Sequence, residues 1–300
     1  MPVPSSVVGL QTTPITHHID ARWLMAYASG LGLEDPRYFD TASPTALAAH
    51  PLFPVCVEWP TVLALRDLAP LAAGVTTAEA RRGIHATHDL TVVRPMVPGD
   101  EVTTVATITG VEQRPPGAYL TMELATTDAS GALVCTTVQG SLYLSTDVDG
   151  PDRPAPPTDP LPEPLKVPAE TETGTGTEAG AGAVVGTQHV VVAVAKGDAH
   201  VYTECARIWN PIHTDRSVAL AAGLPDIILH GTATLAHAVS VGVTQLAGGD
   251  PSRIRRIRGR FSAMVNLPDT ITVQLAPNGQ FEVRNHAGHT AITGGHLHVV

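Results

Sequence analysis

Tyr202-Thr-Glu-Cys-Ala-Arg-Ile-Trp-Asn-Pro-Ile-His-Thr-Asp215, followed by Ile228-Leu-His-Gly231, is the stretch on which the fold turns. Its first part predicts a short helix over His200–Ile208 that runs into an Asn-Pro turn. Proline has no N–H to continue a helix and biases the residue before it to extended backbone, so Asn210-Pro211 must separate two elements. The second part opens an apolar run, Gly231–Leu246, of a length suited to a central helix. His213 is thus held in a turn shortly before a helix that starts on glycine. An imidazole can move protons near neutral pH, and an unblocked helix N-terminus offers free N–H groups and the positive end of a dipole.

Working outward, the same order of signals occurs twice. Ala21–Ser29 precedes Glu34-Asp35-Pro36-Arg37-Tyr38-Phe39-Asp40, much as His200–Ile208 precedes Trp209-Asn210-Pro211-Ile212-His213-Thr214-Asp215. An apolar helix follows each turn, predicted near Pro60–Ala73 and near Gly231–Leu246. Alternating β-branched runs close both parts, over Asp89–Val93, Glu101–Val111, Ala118–Thr127 and Leu133–Ser145, then Ile254–Ala263, Thr270–Ala276, Gln280–Asn285 and His289–Val299. Between them, residues 149–183 are rich in Pro at first and in Gly, Thr and Ala later, and cannot bury a core. The expected organisation is a first half at 1–148, a linker or surface strap at 149–183, and a second half at 184–300. A duplicated unit of one helix and an antiparallel sheet is an α+β arrangement.

The Asn-Pro-Ile-His-Thr-Asp string, the Ala219-Leu-Ala-Ala-Gly-Leu224 stretch and the later Ile-Leu-His-Gly string together resemble the hydratase-2 signature of MaoC-like proteins, the R-specific enoyl-thioester hydratases and dehydratases. Thr91-Val-Val-Arg-Pro-Met-Val-Pro-Gly-Asp100 resembles a turn of the same superfamily. The resemblance implies a double hotdog, in which two halves pair side by side and an acyl thioester lies in the groove between them. It implies a substrate partner linked to CoA or to acyl-carrier protein, and leaves room for a homodimer of double-hotdog chains. The second half would carry the chemistry, with His213 as base, Asn210 orienting an imidazole, a water or the thioester, and the Gly231 N–H meeting the thioester oxygen as charge develops there. His230 is a further residue expected at the substrate. In the first half the histidine position reads as Tyr38, and that half would accommodate the acyl group.

One departure stands out. The family places an aspartate five residues before the histidine and a glycine just before that; here those positions hold Ile208 and Arg207. Isoleucine transfers no protons. Glu204 is the expected substitute, unless it pairs with Arg207 on the helix; Asp215 is expected to be structural. Without a second group, His213 acts alone, or the chain has left hydratase chemistry for acyl-thioester binding or cyclisation. A hotdog thioesterase is a third reading. In the strand Arg253–Phe261, alternation puts Arg256, Arg258 and Arg260 on one face, where arginine forks suit the phosphates of CoA. A solvated surface strand is the competing reading.

Composition narrows the class. The net charge is −10, which argues against a nucleic-acid partner, and five of the nine basic residues in 184–300 fall between Arg253 and Arg260. The apolar fraction of 43 % supports a core, and no run approaches a membrane span. The start of the chain lacks signal-peptide features, so a cytoplasmic protein is expected. Cys56, Cys135 and Cys205 form no C-x-x-C pair, and no nucleotide-binding, nucleophile-elbow or metalloprotease motif occurs, so neither metal nor cofactor is expected.

Overall fold

A computed structural model of the chain describes residues 2–43, 47–68, 71, 83–163, 165 and 186–300. Its strands in chain order are β1 (Val3–Pro4), β2 (Ile15–His18), β3 (Gly83–Val92), β4 (Glu101–Arg114), β5 (Gly117–Asp128), β6 (Leu133–Leu144), β7 (Val148–Asp149), β8 (Gln188–Val194), β9 (Ile254–Phe261), β10 (Asp269–Leu275), β11 (Gln280–Arg284) and β12 (Thr290–Val299). The α-helices are α1 (Ala21–Gly30), α2 (Pro54–Arg66), α3 (Asp198–Ala206), α4 (Arg216–Ala221) and α5 (Gly231–Gln245). Ten strands form one sheet in the order β2-β4-β5-β6-β3-β9-β12-β11-β10-β8. The order is a mirror about the β3–β9 seam: each side lays five strands in the same succession around its own long helix. This is the double hotdog, an α+β fold.

The pattern of each element explains its place. β4 alternates buried and half-buried along most of its length, so one face meets the helix layer and the other is only partly covered. α3 buries Ala199, Tyr202, Thr203 and Ala206, an i, i+3, i+4, i+7 stripe. That stripe meets α1 across the pseudo-twofold: the Tyr27 and Tyr202 hydroxyls lie 3.4 Å apart. At Gly30 a Cβ would come within 2.7 Å of the Cys205 side chain, so glycine there sets the helix spacing. One core cluster joins Tyr27, Phe53, Leu90, Ile257 and Leu235 from both sides of the seam.

Three expectations shift. The helix expected near Pro60–Ala73 begins at Pro54 and passes through Pro60. Pro54 suits the first turn, and burial of Val55, Cys56, Val57 and Glu58 draws that turn into the helix, which carries Pro60 in its interior. The end of that expectation, at 69–70 and 72–73, lies outside the described residues. α3 stops at Ala206 rather than Ile208 because Arg207 takes a left-handed φ of 58°. β2 and β8, one at each edge of the sheet, were not expected.

The seam explains the arginine strand. Ile257 and Gly259 face α5, so Arg256, Arg258 and Arg260 project from the opposite face. There β3 sets Asp89 opposite Arg258. Arg256 grips Asp89 with Nε at 2.8 Å and Nη2 at 2.9 Å, and Arg258 Nε lies 3.2 Å from the same carboxylate. The described part of 149–183 runs over this face. Its Arg153 exchanges backbone hydrogen bonds with Val111 of β4, and Asp159 reaches Arg256 at 2.7 Å while its carbonyl accepts from Arg258. Residues 164 and 166–183 of the expected linker lie outside the described residues. Arg258 is nearly buried, so Asp89→Ala strands a cation, and stability is expected to fall by about 3 kcal/mol. Urea unfolding of the two proteins checks this; equal midpoints would show that the seam does not depend on the pair.

Candidate active site

The Asn-Pro turn becomes a single 3-10 turn, Pro211–His213, with Pro211 in the first position. Asp215 then caps α4, its carboxylate accepting from the N–H groups of Ser217 at 2.8 Å and Val218 at 3.3 Å. The turn delivers His213 to the interior, where it is only 8 % exposed. Its Nδ1 lies 2.8 Å from the carbonyl of Ile228. A carbonyl accepts only, so Nδ1 carries the proton and the Nε2 lone pair is left for chemistry. Burial holds the imidazolium form down to a pKa of about 4, partly offset by the Ile228 bond. The ring is therefore neutral at pH 7.

His230 stacks on His213 with 3.7 Å between ring centroids, and its Nε2 lies 3.1 Å from the Thr203 hydroxyl. It is also the residue that precedes α5, and its side chain makes no capping hydrogen bond to that helix. Gly231 follows. A Cβ there would meet the Phe261 ring at 3.1 Å, so glycine keeps the helix end open beside that ring. Asn210, His213, His230, Gly231 and Thr232 line one cavity of about 250 Å³. The sequence motif thus converges on one space, although its parts are separated by a helix and a loop.

Other sequence candidates do not reach that space. Glu204 is exposed, because it falls off the buried stripe of α3, and it does not line the cavity. Nor does it pair with Arg207, whose guanidinium sits 3.9 Å from the centroid of the Trp23 ring. Arg256, Arg258 and Arg260 are likewise absent from the cavity wall. Two of them are spent on Asp89 and Asp159, and alternation sends all three to the face away from the helices. Ile208 does line the cavity, with its side chain buried where the family has a carboxylate. Cys205 is a poor nucleophile, since burial and the neighbouring Glu204 push its thiol pKa up.

The first half contributes cavity residues that its sequence did not announce. On α2, Val55, Glu58, Trp59, Val62 and Arg66 share one face of the helix and line the space. Glu58 is 3 % exposed and takes a 2.6 Å hydrogen bond from the Thr137 hydroxyl. Burial raises its pKa to about 7, against the lowering effect of Thr137. Among the described residues it is the sole carboxylate of the lining. His85, His88 and Gln139 complete this end. Glu58 precedes the helix expected from sequence at Pro60–Ala73, and it needed the helix start at Pro54 to gain a face.

Comparison with known proteins agrees with this fold. A model of the MaoC like domain matches residues 180–297, and one of the FAS1-like dehydratase domain region matches 6–137. The crystal structure of a MaoC-like dehydratase from Phytophthora capsici superposes with a TM-score of 0.79 at 20 % identity, covering 98 % of this chain and 96 % of that one. The enoyl-CoA hydratase ChsH3 of Mycobacterium tuberculosis is 22 % identical over 93 % of this chain and 91 % of its own length. The peroxisomal enoyl-CoA hydratase 2 of Arabidopsis thaliana is 36 % identical over 67 residues, and the match spans 22 % of each protein. The chain belongs to the MaoC-like dehydratase family, and its fold is that family's double hotdog.

Proposed function

We propose that the protein hydrates 2-enoyl thioesters, or dehydrates the matching 3-hydroxyacyl thioesters, carried on CoA or acyl-carrier protein. The observation that carries this reading is the pinned His213 imidazole in one cavity with the uncapped start of α5. In the hydration direction, Nε2 takes a proton from water as the water oxygen bonds to the β-carbon. The electron pair of the double bond moves toward the thioester carbonyl, whose oxygen accepts from the Gly231 N–H. The α-carbon then takes a proton, and the carbonyl reforms. Asn210 orients the water or the thioester from the neighbouring turn.

The unusual feature is the source of that second proton. With Ile208 in the carboxylate position and Glu204 outside the cavity, His213 returns the proton it removed. Such a site handles two transfers with one group, and each general acid–base group contributes about 10²–10⁴-fold. Simple short enoyl-CoAs are therefore expected to be slow substrates. Residues 1–148 and 184–300 divide the labour in this reading: the second half acts on the thioester and the first holds the acyl group.

Loss of the enoyl-thioester absorbance, with chiral analysis for the R product, tests the reaction. Ile208→Asp restores the family residue, and it is expected to raise hydration of crotonyl-CoA by about tenfold or more. An Ile208→Asp protein that folds and hydrates crotonyl-CoA no faster would show that position 208 does not face the reacting bond.

A further inference from the structure

The cavity is polar at the end where an alkyl tail would need it apolar. His88 on β3 lines it and is 1 % exposed, and neither ring nitrogen has a partner among the described residues. His85 Nε2, on the same strand and also in the cavity wall, is unpartnered too. The two rings lie 5.3 Å apart, edge to face. A neutral imidazole brings one donor and one acceptor, and a buried polar atom without a partner raises the free energy of the empty site. Purely apolar contents would leave all three nitrogens orphaned. Gln139, across the β3–β6 pairing from His88, adds an amide to the same wall.

The route from the reacting end is short. The Phe261 ring lies 3.1 Å from where a Gly231 Cβ would sit, and 4.7 Å centroid to centroid from His85. An acyl chain whose thioester meets Gly231 passes Phe261 and arrives at the imidazole pair. Glu58 and Arg66 both stand in the same wall, so a carboxylate on the chain would meet a like group as well as a cation. Burial also keeps both imidazoles uncharged at neutral pH. A neutral donor–acceptor pair suits a neutral oxygen.

We infer that this subsite takes an acyl chain bearing an uncharged oxygen function, a hydroxyl or a ketone, several carbons from the thioester and hydrogen-bonded by His85 and His88. The inference rests on the thioester lying at Gly231, as in the proposed function. It also gives the slow His213-only site a substrate class: oxygenated chains rather than plain fatty ones.

The test is calorimetric titration of the full chain with octanoyl-CoA and a set of hydroxyoctanoyl-CoAs, the hydroxyl walked from mid-chain to the terminus. These saturated thioesters have no enoyl bond to hydrate. At one position the hydroxyl is expected to tighten binding by about tenfold. In an apolar acyl pocket every hydroxyl weakens binding, so the two readings differ in sign. His88→Leu is expected to erase the gain, so that the two ligands converge; if that variant fails to fold, His85→Leu takes its place, and the hydroxyl walk on the unaltered protein still decides the sign. Weakening at every position, or a gain kept by the leucine variant, overturns the inference. Turnover of the matching 2-enoyl thioesters separates the two proposals. Hydroxyl preference in binding without hydration of any enoyl thioester removes the reaction and leaves the subsite. Hydration without hydroxyl preference removes the subsite and leaves the reaction.

Discussion

Replacing His213 by alanine is expected to lower turnover of an enoyl thioester by a factor of about 10² or more. The loss follows from one lone pair. The Ile228 carbonyl fixes the tautomer, burial keeps the ring neutral, and the Nε2 lone pair is then free to serve as the proposed base. Ile208 offers no proton transfer, so the position five residues before His213 does not share the task. The loss should fall on kcat, because the imidazole acts in the transition state and adds little to ground-state affinity. His213→Gln separates chemistry from packing. It fills the space beside His230 and offers a hydrogen-bonding amide, yet it cannot act as a base. Steady-state kinetics on both variants, with thermal unfolding to confirm the fold, makes the comparison. Near-normal turnover in a folded His213→Ala protein would mean that another group moves the proton.

The second large effect is acid unfolding above the range in which carboxylates titrate. Burial holds His50 at a pKa of about 3 and His88 and His213 at about 4, and it lowers His85, His230 and His237 as well. Each stays neutral in the folded protein and takes up a proton near pH 6.5 on unfolding. A group with a depressed folded pKa contributes stability that is full above its unfolded value and lost as pH falls toward its folded one. Each histidine then costs about 1.4 kcal/mol per pH unit within that window. The three with the values above sum to about 8 kcal/mol by pH 4.5, comparable with the whole stability of a domain. Glu58 acts in the opposite sense. Its raised pKa of about 7 contributes stability that is full below its ordinary value and lost as pH rises through 7, so it offsets roughly one histidine. Urea midpoints measured from pH 7.5 down to 5 should fall steeply, and the protein should unfold before carboxylates protonate. A midpoint that is level or rising across that range would contradict the buried, neutral state of these rings. Acid loss of activity should track unfolding, since His213 itself protonates only near pH 4.

Much of this protein is local in sequence, and that part could be read directly. The doubled order of helix, turn, helix and alternating strands comes from periodicity and from proline and glycine, which act on their immediate neighbours. Asn210, His213 and Gly231 lie within 22 residues of one another, so a turn and a helix start suffice to bring them to one cavity. Arg256, Arg258 and Glu204 show where local reading stops. Strand alternation correctly put the arginines on one face. Whether that face met solvent, a phosphate or Asp89 depended on which strand β9 would pair with, and its partner β3 lies more than 160 residues earlier. Glu204 sat near His213 in sequence but fell on the outer side of α3, a matter of helical phase fixed by packing against α1. Glu58, His85 and His88 enter the cavity only because the β3–β9 pairing lays the first half's helix and sheet against the second half's Asn-Pro turn. A sequence pattern sets which face of an element is apolar; the long-range pairing of strands decides what that face, and the polar groups left on it, will meet.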